Sequence, residues 1–286
     1  MNSFYPSPNS RPFLAAAIAA PHFAIRRIIA NAAANRAPKI DTIIVDIDRT
    51  LTMEDSPKLA LQKLCGPKEA DKITRSFLLK FRRGEVSLSE MPFIVFNELY
   101  SRGFRQSDWA TLMEDIGKDS GFRFDIIAAL TRLRAMHNVK LVVATRASKL
   151  SAEWIARTFG FDYAVGSEER FEDGKFVGFK TLIGAEDSQT NGAVNRTKVT
   201  ATAELFSAMG LQFDPLRTAV LSNDVLDALE MLSCSFGILF VGQVPNTLEK
   251  ISLSLKLYDV LIRESATAAI QLTEALLRRL NHVHAA

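Results

Sequence analysis

Cysteine is nearly missing from this chain: Cys65 and Cys234 are the whole complement. Two thiols cannot make a disulfide framework, and their separation is not a metal-ligand spacing. Histidine is also scarce, with only His22, His137, His282 and His284. None stands beside an obvious catalytic partner, so histidine-based hydrolysis has little support. Acidic residues are absent from the first forty positions, which carry Arg11, Arg26, Arg27, Arg36 and Lys39. Setting those five aside leaves 30 of the 35 basic residues against 32 acidic ones. The remainder is therefore mildly acidic and offers no nucleic-acid surface. The apolar stretch Phe13–Ala20 is cut short by Pro21 and Arg26-Arg27 and cannot span a bilayer. There is no internal repeat, and no low-complexity tract outside the alanine-rich leader.

The leader, residues 1–39, admits several readings. It is Arg-rich and acid-free, as an organellar transit peptide would be. It would serve equally as a helix packed on the core. A third reading is an interfacial segment over residues 11–30, with Phe23, Ile25, Ile28 and Ile29 facing a membrane. A cytoplasmic location is expected, with organellar import as the alternative.

What is present is ordinary globular composition, 48% hydrophobic and 23% charged over 286 residues. That is enough for one large domain with an insertion, or two modest ones. The runs Ile40–Asp46, Val139–Ala144, Thr218–Leu221 and Phe236–Val241 are continuously apolar, as strands covered on both faces are. Helical patterns fill Phe124–His137, Lys149–Phe159, Lys198–Met209 and Val225–Ser233. The alternation predicts an α/β fold with a doubly wound parallel sheet. From Ser56 to Gly117 only helical patterns occur, broken at Gly66-Pro67, Gly84, Pro92 and Gly103. Leu59, Leu61, Leu64, Ile73, Phe77, Leu78 and Phe81 supply their apolar faces. This segment reads as a small all-helical domain, residues 56–116, inserted in a core formed by 40–55 and 117–250. Glu168–Phe179 carries a hairpin signal at Asp173-Gly174. Ile183–Asn195 reads as a loop, and Val260–Leu280, within an extension at 251–286, as an amphipathic helix.

The chemistry concentrates in Asp46-Ile47-Asp48-Arg49-Thr50-Leu51-Thr52. Two carboxylates at alternate positions directly after a buried strand fall where open α/β sheets place ligands. A divalent cation would keep them from repelling each other. The plainer alternative is an acidic turn in which Asp48 or Thr50 caps a helix.

This heptapeptide resembles the first motif of the haloacid dehalogenase superfamily, Asp-x-Asp-x-Thr after a hydrophobic strand. Three more elements follow in the order expected of that family. Thr145 ends the strand LVVAT, Lys198 opens a helix after a polar loop, and Ser222-Asn223-Asp224-Val225-Leu226-Asp227 follows TAVL. The stretch FGFDYAVGSEERFEDGKFVGF is similar to phosphoserine-phosphatase-like members, and the helical insertion lies where such members have a cap. The resemblance spans about Ile40 to Val241. It implies a magnesium-dependent phosphatase of a small phosphorylated metabolite. Asp46 would form an aspartyl-phosphate, and Asp48 would act as general acid and base. Thr145 and Lys198 would bind the phosphate, while Asp46, Asp48, Asn223, Asp224 and Asp227 would surround Mg2+.

The pattern departs in places. Ser222-Asn223 stands where the family usually has Gly-Asp, so a neutral amide replaces a carboxylate. Arg146 follows Thr145 and would clamp a phosphate or substrate carboxylate, or else pair with an acid of the insertion; Arg49 has the same ambiguity. Glu54 and Asp55 would bind an amine or simply be solvated. The segment after Gly84 is apolar where phosphoserine readers carry an arginine, which argues against phosphoserine itself. Met91, Phe93, Phe96 and Tyr100 are either core packing or the wall of an apolar pocket. Rival readings are a binding or scaffold protein that has lost catalysis, and a phosphatase of a membrane-associated substrate.

Overall fold

The computed structural model describes residues 39–86, 90–184, 189–190, 192–223, 227, 230–231, 234–243, 245, 250, 253 and 258–280. The whole leader, Asp224, and most of the Val225–Ser233 helical stretch lie outside the described residues.

Strand β1 (Thr42–Asp46) is buried along its whole length, and its neighbours are parallel: β2 (Lys140–Ser148) on one side, β7 (Thr218–Ser222) on the other. Beyond β7 come β8 (Phe236–Val241) and β9 (Val260–Arg263), also parallel. Beyond β2 lies β3 (Tyr163–Glu172), which turns back as β4 (Lys175–Ile183). The short strands β5 (Gln189–Thr190) and β6 (Ala193–Arg196) close that edge. The order across the nine-stranded sheet is β5-β6-β4-β3-β2-β1-β7-β8-β9.

Successive residues of the central strands feed two cores, as pleating requires. Ile43, Val45, Leu141 and Val143 face one apolar cluster; Ile44, Val142, Ala144 and Val220 face the other. Helices α5 (Phe124–His137), α6 (Lys149–Phe159) and α7 (Lys198–Ala208) follow the sequence pattern closely. Their ends have local causes. Asn138 stops α5 in the left-handed conformation. The Ser148 hydroxyl caps α6 by accepting from the Leu150 amide, and Thr197 caps α7 through the Thr200 amide. Asp173 and Gly174 both have positive φ (48° and 74°), as the tight turn of a two-residue hairpin demands.

Between β1 and β2 the chain inserts α1 (Ser56–Cys65), α2 (Pro67–Arg82), α3 (Met91–Ser101) and α4 (Asp108–Lys118). Gly66, at φ 82°, separates the first two, and Gly103, at φ 91°, follows the third. Leu78 does not join the core, being 46% exposed. The chain enters and leaves the insertion side by side: the Met53 amide donates to the Gly121 carbonyl, and Arg123 to Leu51, each at 2.8 Å. Phe96 is part of the core, and Met91, Phe93 and Tyr100 pack against it, partly buried. Phe96 sits 5.0 Å from Phe179 and 5.4 Å from Trp109, ring centre to ring centre. Tyr100 lies 5.1 Å from Phe176 and 5.0 Å from Phe171. Helix α3 is thereby docked onto the β3–β4 hairpin, and Trp109 of α4 packs against it through Phe96.

Two expectations need correction. Ile183–Asn195 is not a plain loop, because β4 runs through Ile183 and β6 occupies Ala193–Arg196. Val260–Leu280 is not one helix either. Val260–Arg263 pairs with β8 as a ninth strand, and only Ala268–Leu280 (α8) is helical. Among the described residues no helix is long and apolar enough to cross a membrane.

Candidate active site

Register brings the four sequence elements together. Asp46 pairs with Ala144, and Val45 with Leu221, so β1 and β7 end level with one another while β2 runs on to Ser148. Asp46 and Ser222, the last residues of β1 and β7, and Thr145, one residue past the β2 partner of Asp46, share one edge of the sheet. Asp46, Thr145, Lys198, Ser222, Asn223 and Asp227 are all buried. Close approach of β3 depends on Gly166, where a Cβ would meet the Lys149 backbone at 2.5 Å. Ser167, next along, donates to the Arg146 carbonyl at 2.7 Å and accepts from the Ile183 amide. The irregular stretch of β2 after Thr145 is thus fixed by the hairpin.

Lys198 lies at the centre. Its Nζ donates to Asp46 Oδ1 and to Asp227 Oδ2, each at 2.5 Å. The Thr50 hydroxyl donates to Asp46 Oδ2 at 3.2 Å. Asp227 also accepts from Arg146 Nη2 at 2.5 Å and from the Ser222 hydroxyl. Thr145 Oγ1 accepts from the Ala147 amide at 3.0 Å, which aims the hydroxyl. Asp48 Oδ1 accepts from the amide of Ser56, the first residue of α1, at 2.7 Å, while the N-cap position itself is Asp55.

Burial is the main influence on each carboxyl. It pushes Asp46 up to about 6, against the pull of the Lys198 cation. It pushes Asp48 up to about 7, helped by the charges of Asp55 and Asp46. For Asp227 burial also acts upward, but Lys198 and Arg146 outweigh it and hold the carboxyl below its usual range. Lys198 moves upward because Asp227 and Asp46 outweigh its own burial. Glu230 was not singled out from the sequence, although it stands three residues after Asp227. It accepts from the Val199 amide at 2.8 Å, and burial with the Asp227 charge lifts it to about 8.

Arg146 faces inward onto Asp227, not outward to an acid of the insertion. Glu54 pairs with Lys58 on the surface. Arg49, at φ 58°, places a guanidinium nitrogen 3.3 Å from where a Gly242 Cβ would be, beside Glu264. Glu264 in turn holds the buried Arg123, whose guanidinium stacks over Phe240.

The donors fit a divalent cation poorly. Both oxygens of Asp227 are taken by cationic or hydroxyl donors, and Asn223 offers only an amide. Among the described residues no three His, Cys, Asp or Glu side chains are grouped to hold a metal. Asp227, expected as a metal ligand, here accepts from Lys198, Arg146 and Ser222. Asp224 lies outside the described residues. Magnesium favours carboxylate oxygens, and of the other expected ligands Asp46 and Asp48 supply them.

A family model for haloacid dehalogenase-like hydrolases matches residues 43–230. The chain belongs to that family. This hydrolase has structural relatives at low sequence identity, which share its fold. A protein of unknown function from Bordetella pertussis Tohama I is 17% identical with a TM-score of 0.55, over 78% of this chain and 99% of that one. A phosphoserine phosphohydrolase-like protein from Francisella tularensis is 13% identical with a TM-score of 0.54, over 82% and 99%. A probable phosphoserine phosphatase from Vibrio cholerae, unliganded, is 12% identical with a TM-score of 0.54, over 87% and 69%. No protein of curated function matches the sequence significantly.

Proposed function

We propose that this hydrolase is a phosphatase of a small phosphorylated metabolite, with Asp46 as nucleophile. The observation that carries the reading is the buried Asp46–Lys198–Asp227 triad at the ends of three parallel strands, with a second carboxyl, Asp48, two residues from the nucleophile. The Asp46 carboxylate attacks phosphorus, and the bond from phosphorus to the leaving oxygen breaks. Asp48, held near neutrality by its surroundings, gives that oxygen its proton. The resulting Asp48 carboxylate then takes a proton from water. That water attacks phosphorus, releasing inorganic phosphate and restoring Asp46. Thr145 donates to a phosphate oxygen, and Lys198 neutralises charge as it builds up. The helical insertion serves as the cap that selects the substrate and excludes water. Its apolar segment after Gly84 favours a substrate without a carboxylate there. A scaffold protein would have little use for a buried lysine shared by two aspartates.

The test is phosphate release from a panel of phosphorylated metabolites, with added magnesium and with chelator, for wild type and Asp46→Asn. Release that vanishes in Asp46→Asn supports the reading. Release that survives the substitution, or none from any compound by folded protein, removes it.

A further inference from the structure

We infer that the phosphoryl group is held by two side-chain cations, Lys198 and Arg146, and that a divalent metal adds little to its binding. The inference rests on the phosphatase reading and concerns how that site carries its charge.

Three observations converge. First, Arg146 lies in β2 next to Thr145 and turns into the site, its side chain 19% exposed and bonded to an Asp227 side chain that is 0% exposed. A guanidinium is always charged, and its flat fork matches phosphate oxygens. Second, its position is fixed from behind. Ser167 holds its carbonyl, and Gly166 lets β3 approach closely enough for Ser167 to reach. Third, two of the acidic side chains, Asp46 and Asp227, are already matched. Asp46 and Asp227 share Lys198, Asp227 also takes Arg146, and position 223 is an amide. An ion entering beside Asp46 would meet two fixed positive charges and, among the described residues, few carboxylate oxygens. A phosphate would meet the same two charges as partners.

The chemistry is internally consistent. Lys198 spends two of its three N–H bonds on aspartates. Asp227, a fully buried carboxylate, is the counter-ion that lets both cations stay buried when no phosphate is present. The residues at 223 and 146 complement each other: position 223 carries a neutral amide, and position 146 supplies a permanent cation.

Binding of inorganic phosphate, measured by calorimetry in EDTA and again with excess magnesium, tests this without turnover. Wild type is expected to bind within about threefold in the two conditions. Arg146→Met is expected to weaken binding at least about tenfold in EDTA, the loss of one charge-assisted contact. Arg146→Lys, which keeps the charge but not the fork, should fall between them, and guards against a methionine variant that fails to fold. Asn223→Asp should create a magnesium dependence that wild type lacks. Phosphate binding by wild type only with magnesium overturns the inference and leaves the phosphatase reading standing. Arg146→Met binding as wild type does in EDTA also overturns it. No binding in either condition defeats the phosphatase reading as well.

Discussion

Lys198 Nζ lies 2.5 Å from Asp46 Oδ1, although 152 residues separate them along the chain. The contact joins the end of β1 to the first turn of α7 inside a nearly closed interior, where Lys198 is 1% exposed. A cation there is sustained only by its two aspartates.

Lys198→Met should therefore damage stability as well as turnover. It leaves two buried carboxylates without their shared counter-ion, a loss on the order of 3–5 kcal/mol. Adding Asp227→Asn should restore part of that loss without restoring activity. Urea unfolding of the single and double variants reads the effect. A single variant as stable as wild type would refute the account of the triad.

Activity should follow a bell in pH. Asp46 must be ionised to attack, so kcat/KM falls as pH drops through about 6. Asp48 must carry a proton for the leaving group, so kcat/KM falls again as pH rises through about 7. Asp48→Asn should lose the upper limb and about 10²–10⁴ in rate. A wild-type profile that stays flat from pH 7 to 9 would contradict the role of Asp48.

Glu230 should make the protein less stable in alkali. Its folded value, about 8, lies above the ordinary 4.5, so the folded state keeps a proton that the unfolded state loses. Stability from this group is full below about 4.5 and declines as pH rises through about 8. Glu230→Gln should raise Tm by on the order of 5 °C at pH 8.5 relative to wild type, and by much less at pH 5. An equal difference at the two pH values would be the wrong result.

The docking of the insertion should depend on Phe96, which is 1% exposed among Phe179, Phe176, Tyr100 and Trp109. Phe96→Ala should cost about 3–5 kcal/mol. Tyr100→Phe removes a hydroxyl that accepts from Trp109 Nε1 and donates to the buried Glu169. It should cost about 1–3 kcal/mol, read by thermal unfolding. No loss in either variant would mean that the hairpin is not the seat of the insertion.

The central sheet was legible because β1, β2, β7 and β8 are buried on both faces and so read as unbroken apolar runs. The outer strands were not. Only Ile262 of β9 is fully buried, and the strand runs into an amphipathic helix, so its period merged with that of α8. In β6, Asn195 is buried and Val194 is not, which hides the alternation that marks a strand. At the site, the order of Asp46, Thr145, Lys198 and Asp227 was readable, because each follows an apolar run or opens a helical pattern in the sequence. The partner of Arg146 was not: Asp227 is 81 residues away, and only the fold makes them neighbours.

One tie runs outside the matched family region. Glu264, in the turn after β9, grips Arg123, where the chain returns from the insertion, and borders Arg49 beside the nucleophile. Arg123 is 6% exposed, so losing its counter-ion would strand a charge in the interior. Over evolutionary time, then, Glu264 and Arg123 are expected to be inherited or replaced together. The C-terminal segment would drift at the pace of the catalytic core, not at the pace of a dispensable tail.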